Sequence, residues 1–116
     1  MNNRRKQTLV KRIAKIKQEL VELGEMRPGS LSQQYNICGN PTCRCKDSKN
    51  PRKHGPYYQL SYFRHGKSKS EYVKAERLSI VKQQIKNYKR FVKLTEEWID
   101  LSIELAQIQK ADLEQT

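Results

Sequence analysis

The sequence predicts an α+β fold, mostly α, in a single domain over residues 1–116: an N-terminal helix, a cysteine-rich knuckle with a β-hairpin, and a long C-terminal coiled-coil helix. Three observations carry this. Apolar residues recur at three- and four-residue steps in two segments, about 5–24 and 75–113. Between them, residues 58–73 alternate around a His65-Gly66 pair, and residues 38–54 hold all three cysteines and one of the two histidines.

The first helix, 5–24, is read from Leu9, Ile13, Ile16, Leu20 and Leu23, a heptad seam at steps of 4, 3, 4 and 3. Gly24 and Pro28 mark its end. The first 17 residues of the chain contain seven Lys and Arg and no acid. That run is either a solvated helix face or a surface for an anion.

The second segment, 35–73, combines the cysteine stretch with a hairpin. Tyr58, Leu60 and Tyr62 alternate with Gln59 and Ser61, and the His65-Gly66 loop suits a type I′ turn. Such a turn would set Tyr58 opposite Val73 and Tyr62 opposite Lys69, with one aromatic face packed inward. Arg64, Lys67 and Lys69 cluster at the tip, where they either touch phosphate or keep an edge strand soluble.

The third segment, 75–113, contains no Gly or Pro and reads as one helix about 57 Å long. Its seam runs Leu78, Val81, Ile85, Tyr88, Phe91, Leu94, Trp98, Leu101, Leu105, Ile108, and the heptad slips between Tyr88 and Phe91. A change of packing partner is expected there. A first helix spanning about 30 Å covers only half of the third in one chain. The uncovered residues Leu94, Trp98, Leu101, Leu105 and Ile108 are the expected interface of a homodimer.

Only 35% of the 116 residues are apolar, so a metal staple or a second subunit is expected to supplement a small core. No stretch approaches the roughly 18 apolar residues of a membrane span, and the N-terminus lacks the apolar segment of a secretory signal. The expectation is a cytoplasmic, soluble protein with no membrane partner.

Net charge is +12, unevenly spread. The first 94 residues carry 23 Lys and Arg against six acids, and residues 95–116 one Lys against six acids. The basic body could meet phosphate. The acidic end is expected beside the basic first helix of the same or another chain, with opposite charge selecting the pairing.

Cys38, Cys43, Cys45 and His54 fall within 17 residues and form a Cys3His set, with Gly39, Pro41 and Gly55 able to turn the chain. The expected ligand is one structural Zn2+; the alternative is buried thiols beside an ordinary histidine. Four candidate ligands would close the shell, whereas a catalytic zinc keeps an open position. The nearest carboxylate, Asp47, sits among Lys and Arg. The chain also lacks a Gly-rich phosphate loop, a serine elbow and paired acids outside its tail, so no enzyme is expected.

These residues carry a resemblance. GSL at 29–31, Y-N-x-C-G-x-P-x-C-R-C from Tyr35 to Cys45, H-G-P-Y-Y at 54–58, the hairpin's L-S-Y, G-K and E-Y-V, and K-N-Y-K-R-F at 86–91 resemble a family of small bacterial and archaeal proteins carried as a domain of unknown function. The resemblance spans roughly residues 25 to 95. It implies a Cys-rich knuckle and hairpin between helices, with Cys38, Cys43, Cys45 and His54 as defining positions. It also implies an association with mobile elements or their transposases, and no established activity.

Two functions follow. The first is nucleic-acid binding, with DNA favoured over RNA on the resemblance alone. Its expected contacts are Lys82, Lys86, Lys89 and Lys93 on the third helix, Arg4, Arg5, Lys11, Arg12 and Lys15 on the first, Arg44, Lys46, Arg52 and Lys53 in the knuckle, and Arg64, Lys67 and Lys69 at the hairpin tip. The second is a coiled-coil adaptor that docks a transposase, recombinase or nuclease, or an inhibitor of a nucleic-acid enzyme, with Trp98 as an anchor if exposed.

Overall fold

The computed structural model describes residues 3–36, 40–47 and 54–114. The chain forms two compact units, Met1–Met26 with Lys86–Thr116, and Arg27–Ile85.

The first unit is a helical hairpin. Helix α1 (Asn3–Glu22) buries Leu9, Ile13 and Ile16, three members of the heptad seam. Helix α2 (Leu78–Glu114) contributes Leu94, of which only 1% is exposed. Alongside this apolar strip runs a ladder of ion pairs. Arg5 donates to Glu104 through Nε and Nη2 at 3.0 and 2.7 Å, Arg12 donates to Glu97 in the same two-pronged way at 2.6 and 2.8 Å, and Arg90 donates to Glu19 at 3.2 Å. Residues 5, 12 and 19 advance by seven while 104, 97 and 90 retreat by seven, so the helices are antiparallel and in fixed register. Past the end of α1, Asn87 Nδ2 donates to the Glu25 carbonyl at 2.8 Å.

This pairing corrects the length argument. Helix α1 does not cover α2 from its start; it lies along residues 87–104, which takes in Leu94, Trp98 and Leu101, three of the residues expected to be uncovered. Leu94 is therefore buried by its own chain. Trp98 is partly buried, and Lys17 Nζ stands 5.3 Å from its ring centroid, a cation–π contact within the hairpin.

The second unit is a three-stranded antiparallel sheet, β1 (Ser30–Asn36), β2 (His54–Arg64) and β3 (Lys67–Val73), in the order β1-β2-β3. The register pairs Tyr58 with Val73 and Tyr62 with Lys69. His65 and Gly66 have φ of 52° and 75°, the two positive values a type I′ turn needs. A Cβ at Gly66 would meet nothing within 4 Å, so glycine stands there for its backbone and not for space. Leu60 on the inner face is buried with Val81 and Ile85 from the first turns of α2, and Leu31 and Val73 pack against them. A 3-10 turn, Ala75–Arg77, leads from β3 into α2. The long helix thus passes from sheet partners at Ile85 to its helical partner at Leu94, across the slip in its heptad.

Strand β1 is absent from the sequence reading. SLSQQYN has only Leu31 and Tyr35 as apolar residues, too few to signal a strand on its own. It forms because β2 offers an open edge, pairing Leu31 with Leu60 and Gln33 with Tyr58.

The ladder makes the hairpin acid-sensitive. The guanidinium of Arg12 donates to Glu97 and that of Arg5 to Glu104, and both carboxyls are held below the usual carboxylate range. A depressed folded-state pKa stabilises the fold above the unfolded value, about 4.3, and the effect is lost as pH falls through the lower folded value. Thermal melts followed by helix circular dichroism are expected to be flat above about pH 5 and to drop below about pH 4. The drop should shrink in Glu97→Gln; equal drops in the two proteins would show that the pair does not cause it.

Candidate metal centre and nucleic-acid interface

The β1–β2 pairing joins the two ends of the cysteine-rich segment, at Asn36 and His54. Beyond an irregularity between Gln34 and Asn36, Asn36 pairs with His54, the first residue of β2. Gly55 follows at φ 137°, where a Cβ would come within 2.8 Å of the Gln34 carbonyl oxygen. Only glycine fits that approach, and it brings the start of β2 against β1. In the loop, Asn40 Oδ1 accepts hydrogen bonds from the Thr42 amide and hydroxyl at 3.0 and 2.8 Å, and the Cys43 amide donates to the Asn40 carbonyl at 3.2 Å. A single 3-10 turn, Arg44–Lys46, follows.

These two elements put Cys43 Sγ 3.1 Å from His54 Nε2, with both side chains partly buried. A shared tetrahedral zinc, at about 2.3 Å from sulfur and 2.0–2.1 Å from nitrogen, would hold them about 3.6 Å apart, so the pair fits such a site after a small outward shift. Cys38 and the side chain of Cys45 lie outside the described residues. Among the described residues no group of three or more His, Cys, Asp or Glu converges on one point. Cys43 and His54, separated by 11 positions in sequence, are the two members of the expected Cys3His set that the described residues bring into contact.

The basic residues divide by role. Arg5 and Arg12, two of the expected phosphate contacts, are held in the ladder by Glu104 and Glu97. Arg4, Lys11 and Lys15 on α1 are exposed, as are Lys86, Lys89 and Lys93 on α2. Among the described residues none of these six forms an ion pair, and the three on α2 recur at three and four positions along one helix face. In the sheet unit Arg44, Lys46, Arg64, Lys67, Lys69 and Lys82 are exposed, while Arg27 is paired with Glu71 at 3.0 Å. Arg52 and Lys53 lie outside the described residues. Of the expected interface residues, Leu101, Leu105 and Ile108 are half-buried. Ile99 and Ile103 are more than half exposed and line a shallow apolar groove on α2 with Trp98 and Ala106.

The sequence reading also missed the outer face of the sheet. Register places Tyr57, Gln59, Ser61 and Phe63 of β2 there, with Tyr72, Ser70 and Ser68 of β3. Tyr57, Phe63 and Tyr72 are 41%, 69% and 67% exposed. Tyr57 and Tyr72 meet edge to face, centroids 6.4 Å apart. The signal was present in the hairpin register, since pairing Tyr58 with Val73 forces Tyr72 opposite Gln59, beside Tyr57.

Among the described residues no helix is long and apolar enough to cross a membrane. Comparison with curated proteins and with solved structures gives no match. A family model described as "Domain of unknown function (DUF6788)" matches residues 6–83. That span takes in most of α1, the sheet and the first turns of α2, starting earlier than the motif resemblance and stopping before K-N-Y-K-R-F at 86–91. With well over half of its length inside the match, the chain belongs to the DUF6788 family.

Proposed function

We propose that this protein is a zinc-stabilised, dimeric nucleic-acid-binding accessory protein whose ligand is DNA. The observation that carries the reading is the row of exposed lysines at 86, 89 and 93 on α2, none of which forms an ion pair among the described residues. Like charges three and four residues apart on a helix repel one another, and a polyanion relieves that repulsion. Lys11 and Lys15 on α1, with Lys67 and Lys69 on β3, add further exposed cations in each unit. Contacts of this kind neutralise phosphates, release counterions and carry little sequence information. In this reading zinc would be held by Cys43 and His54 with Cys38 and Cys45, and its part is to fix the loop that presents Arg44 and Lys46. The groove beside Trp98, apolar on an otherwise charged helix, supports a second copy of the chain as its occupant. The same groove favours the second reading, an adaptor for a protein such as a transposase or recombinase.

Binding to a random-sequence duplex followed by fluorescence anisotropy is expected to weaken steeply with salt. Each of Lys86→Gln, Lys89→Gln and Lys93→Gln should lower the slope of log K against log salt by about 1. Slopes equal to wild type in all three variants, or no duplex binding at micromolar protein, would contradict the reading.

A native preparation is expected to carry about one zinc per chain by elemental analysis and to sediment at twice the chain mass. Cys43→Ser and His54→Ala should each release most of the metal. A stable, metal-free wild type would remove zinc from the account, and a monomer at all concentrations would remove the dimer.

A further inference from the structure

We infer that the outer face of the β-sheet is a stacking platform for an unpaired nucleic-acid strand. The inference deepens the proposed function and rests on it: the lysines supply phosphate contact, and this face supplies contact with bases.

The solvent face of an antiparallel sheet ordinarily carries polar side chains. Here it carries three exposed aromatic rings, Tyr57, Phe63 and Tyr72, and the positions between them on β2 and β3 hold only glutamine and serine. No outward position of those two strands from Tyr57 to Phe63 and from Ser68 to Tyr72 is charged, although residues 27–85 contain 12 Lys and Arg against three acids. Charge has been kept off the face. Lys67 and Lys69 stand exposed on β3, the edge strand that carries Tyr72, at the alternate positions opposite Arg64 and Tyr62, so they border the face from the strand edge and do not stand on it.

That arrangement matches the two demands of a single strand. Every base has a π face that stacks on an aromatic ring, and its backbone needs cations alongside. Tyr57 and Phe63 are six residues apart on one strand, about 20 Å at 3.3 Å per residue, which accommodates several splayed nucleotides. Between the rings Gln59 and Ser61 offer an amide and a hydroxyl to base edges. The Gln59 amide is oriented by Gln34, whose Nε2 donates to Gln59 Oε1 at 2.6 Å. The edge-to-face contact of Tyr57 with Tyr72 fixes both rings before any ligand arrives. Three exposed rings separated only by glutamine and serine, in a unit with 12 Lys and Arg against three acids, favour a polyanion with flat apolar groups.

The test uses the full chain and short labelled oligonucleotides of one mixed sequence, as deoxy single strand, ribo single strand and DNA duplex, with anisotropy as readout. Phe63→Ala and Tyr72→Ala, both at exposed positions, should each weaken binding of at least one single strand by about tenfold. Phe63→Trp should stay within about twofold of wild type, and duplex binding should change by less than about twofold in all three. Ultraviolet cross-links to the preferred strand should map to Tyr57, Phe63 or Tyr72, and the deoxy and ribo arms tell which strand it is. Single-strand binding that is unchanged in both alanine variants overturns the platform and leaves the proposed function standing. So does a wild type that binds duplex alone. A wild type that binds none of the three overturns both.

Discussion

The bidentate pairing of Arg12 with Glu97, repeated one heptad away by Arg5 with Glu104, sets the register on which the helical unit depends. The apolar seam cannot set it alone. Leu and Ile recur every three or four residues along both helices, so α1 could slide by a heptad along α2 and still bury a strip of side chains. Charge removes that freedom. On the first half of α2 the arginines of α1 would face Lys82, Lys86, Lys89, Arg90 and Lys93; on the second half they face Glu97 and Glu104. The split between a basic body and an acidic end is thus a folding instruction before it is anything else.

A division of labour among the cations follows. Arginine's planar fork matches a carboxylate with two parallel hydrogen bonds, and the chain uses Arg5 and Arg12 in that way inside its own hairpin. Lysine is a compact, hydrated charge on a flexible stem and gains less from a fixed geometry. Lys11, Lys15, Lys86, Lys89 and Lys93 remain on the surface, suited to phosphates whose positions vary. In the sheet unit the same separation appears in another form, with Arg27 held by Glu71, lysines on the edge strand and an uncharged aromatic face.

What could be read from the sequence was whatever local chemistry determines. The two helices follow from heptads, and the hairpin's turn and register follow from His65-Gly66, because a two-residue loop admits few geometries. What failed depended on partners. SLSQQYN becomes a strand only against the edge of β2, and no local pattern announces it. The length of α1 suggested that Leu94 and Trp98 were left uncovered, while the charges, which pointed to the acidic half, were the better guide. Strand β2 carries aromatics on both faces, Tyr58 and Tyr62 on one, Tyr57 and Phe63 on the other; the side that meets Val81 and Ile85 decides which pair is exposed. In the knuckle, spacing linked Cys43 to His54 across a turn-rich loop, and the strand pairing at Asn36 and His54 accounts for why they meet.

The account stands on two arginines, Arg5 and Arg12, that hold the helical unit, and on the proposal that the exposed lysines meet phosphate. The most direct test exchanges the ladder: Arg5→Glu, Arg12→Glu, Glu97→Arg and Glu104→Arg in one chain, which leaves the net charge at +12. Melting temperature and duplex affinity are measured on the same sample. The account predicts a fold of near wild-type stability and duplex affinity within about twofold of wild type, since no phosphate contact has been removed. Affinity weaker by about tenfold or more with helix content intact would contradict it, because the exchanged arginines would then be part of the binding surface.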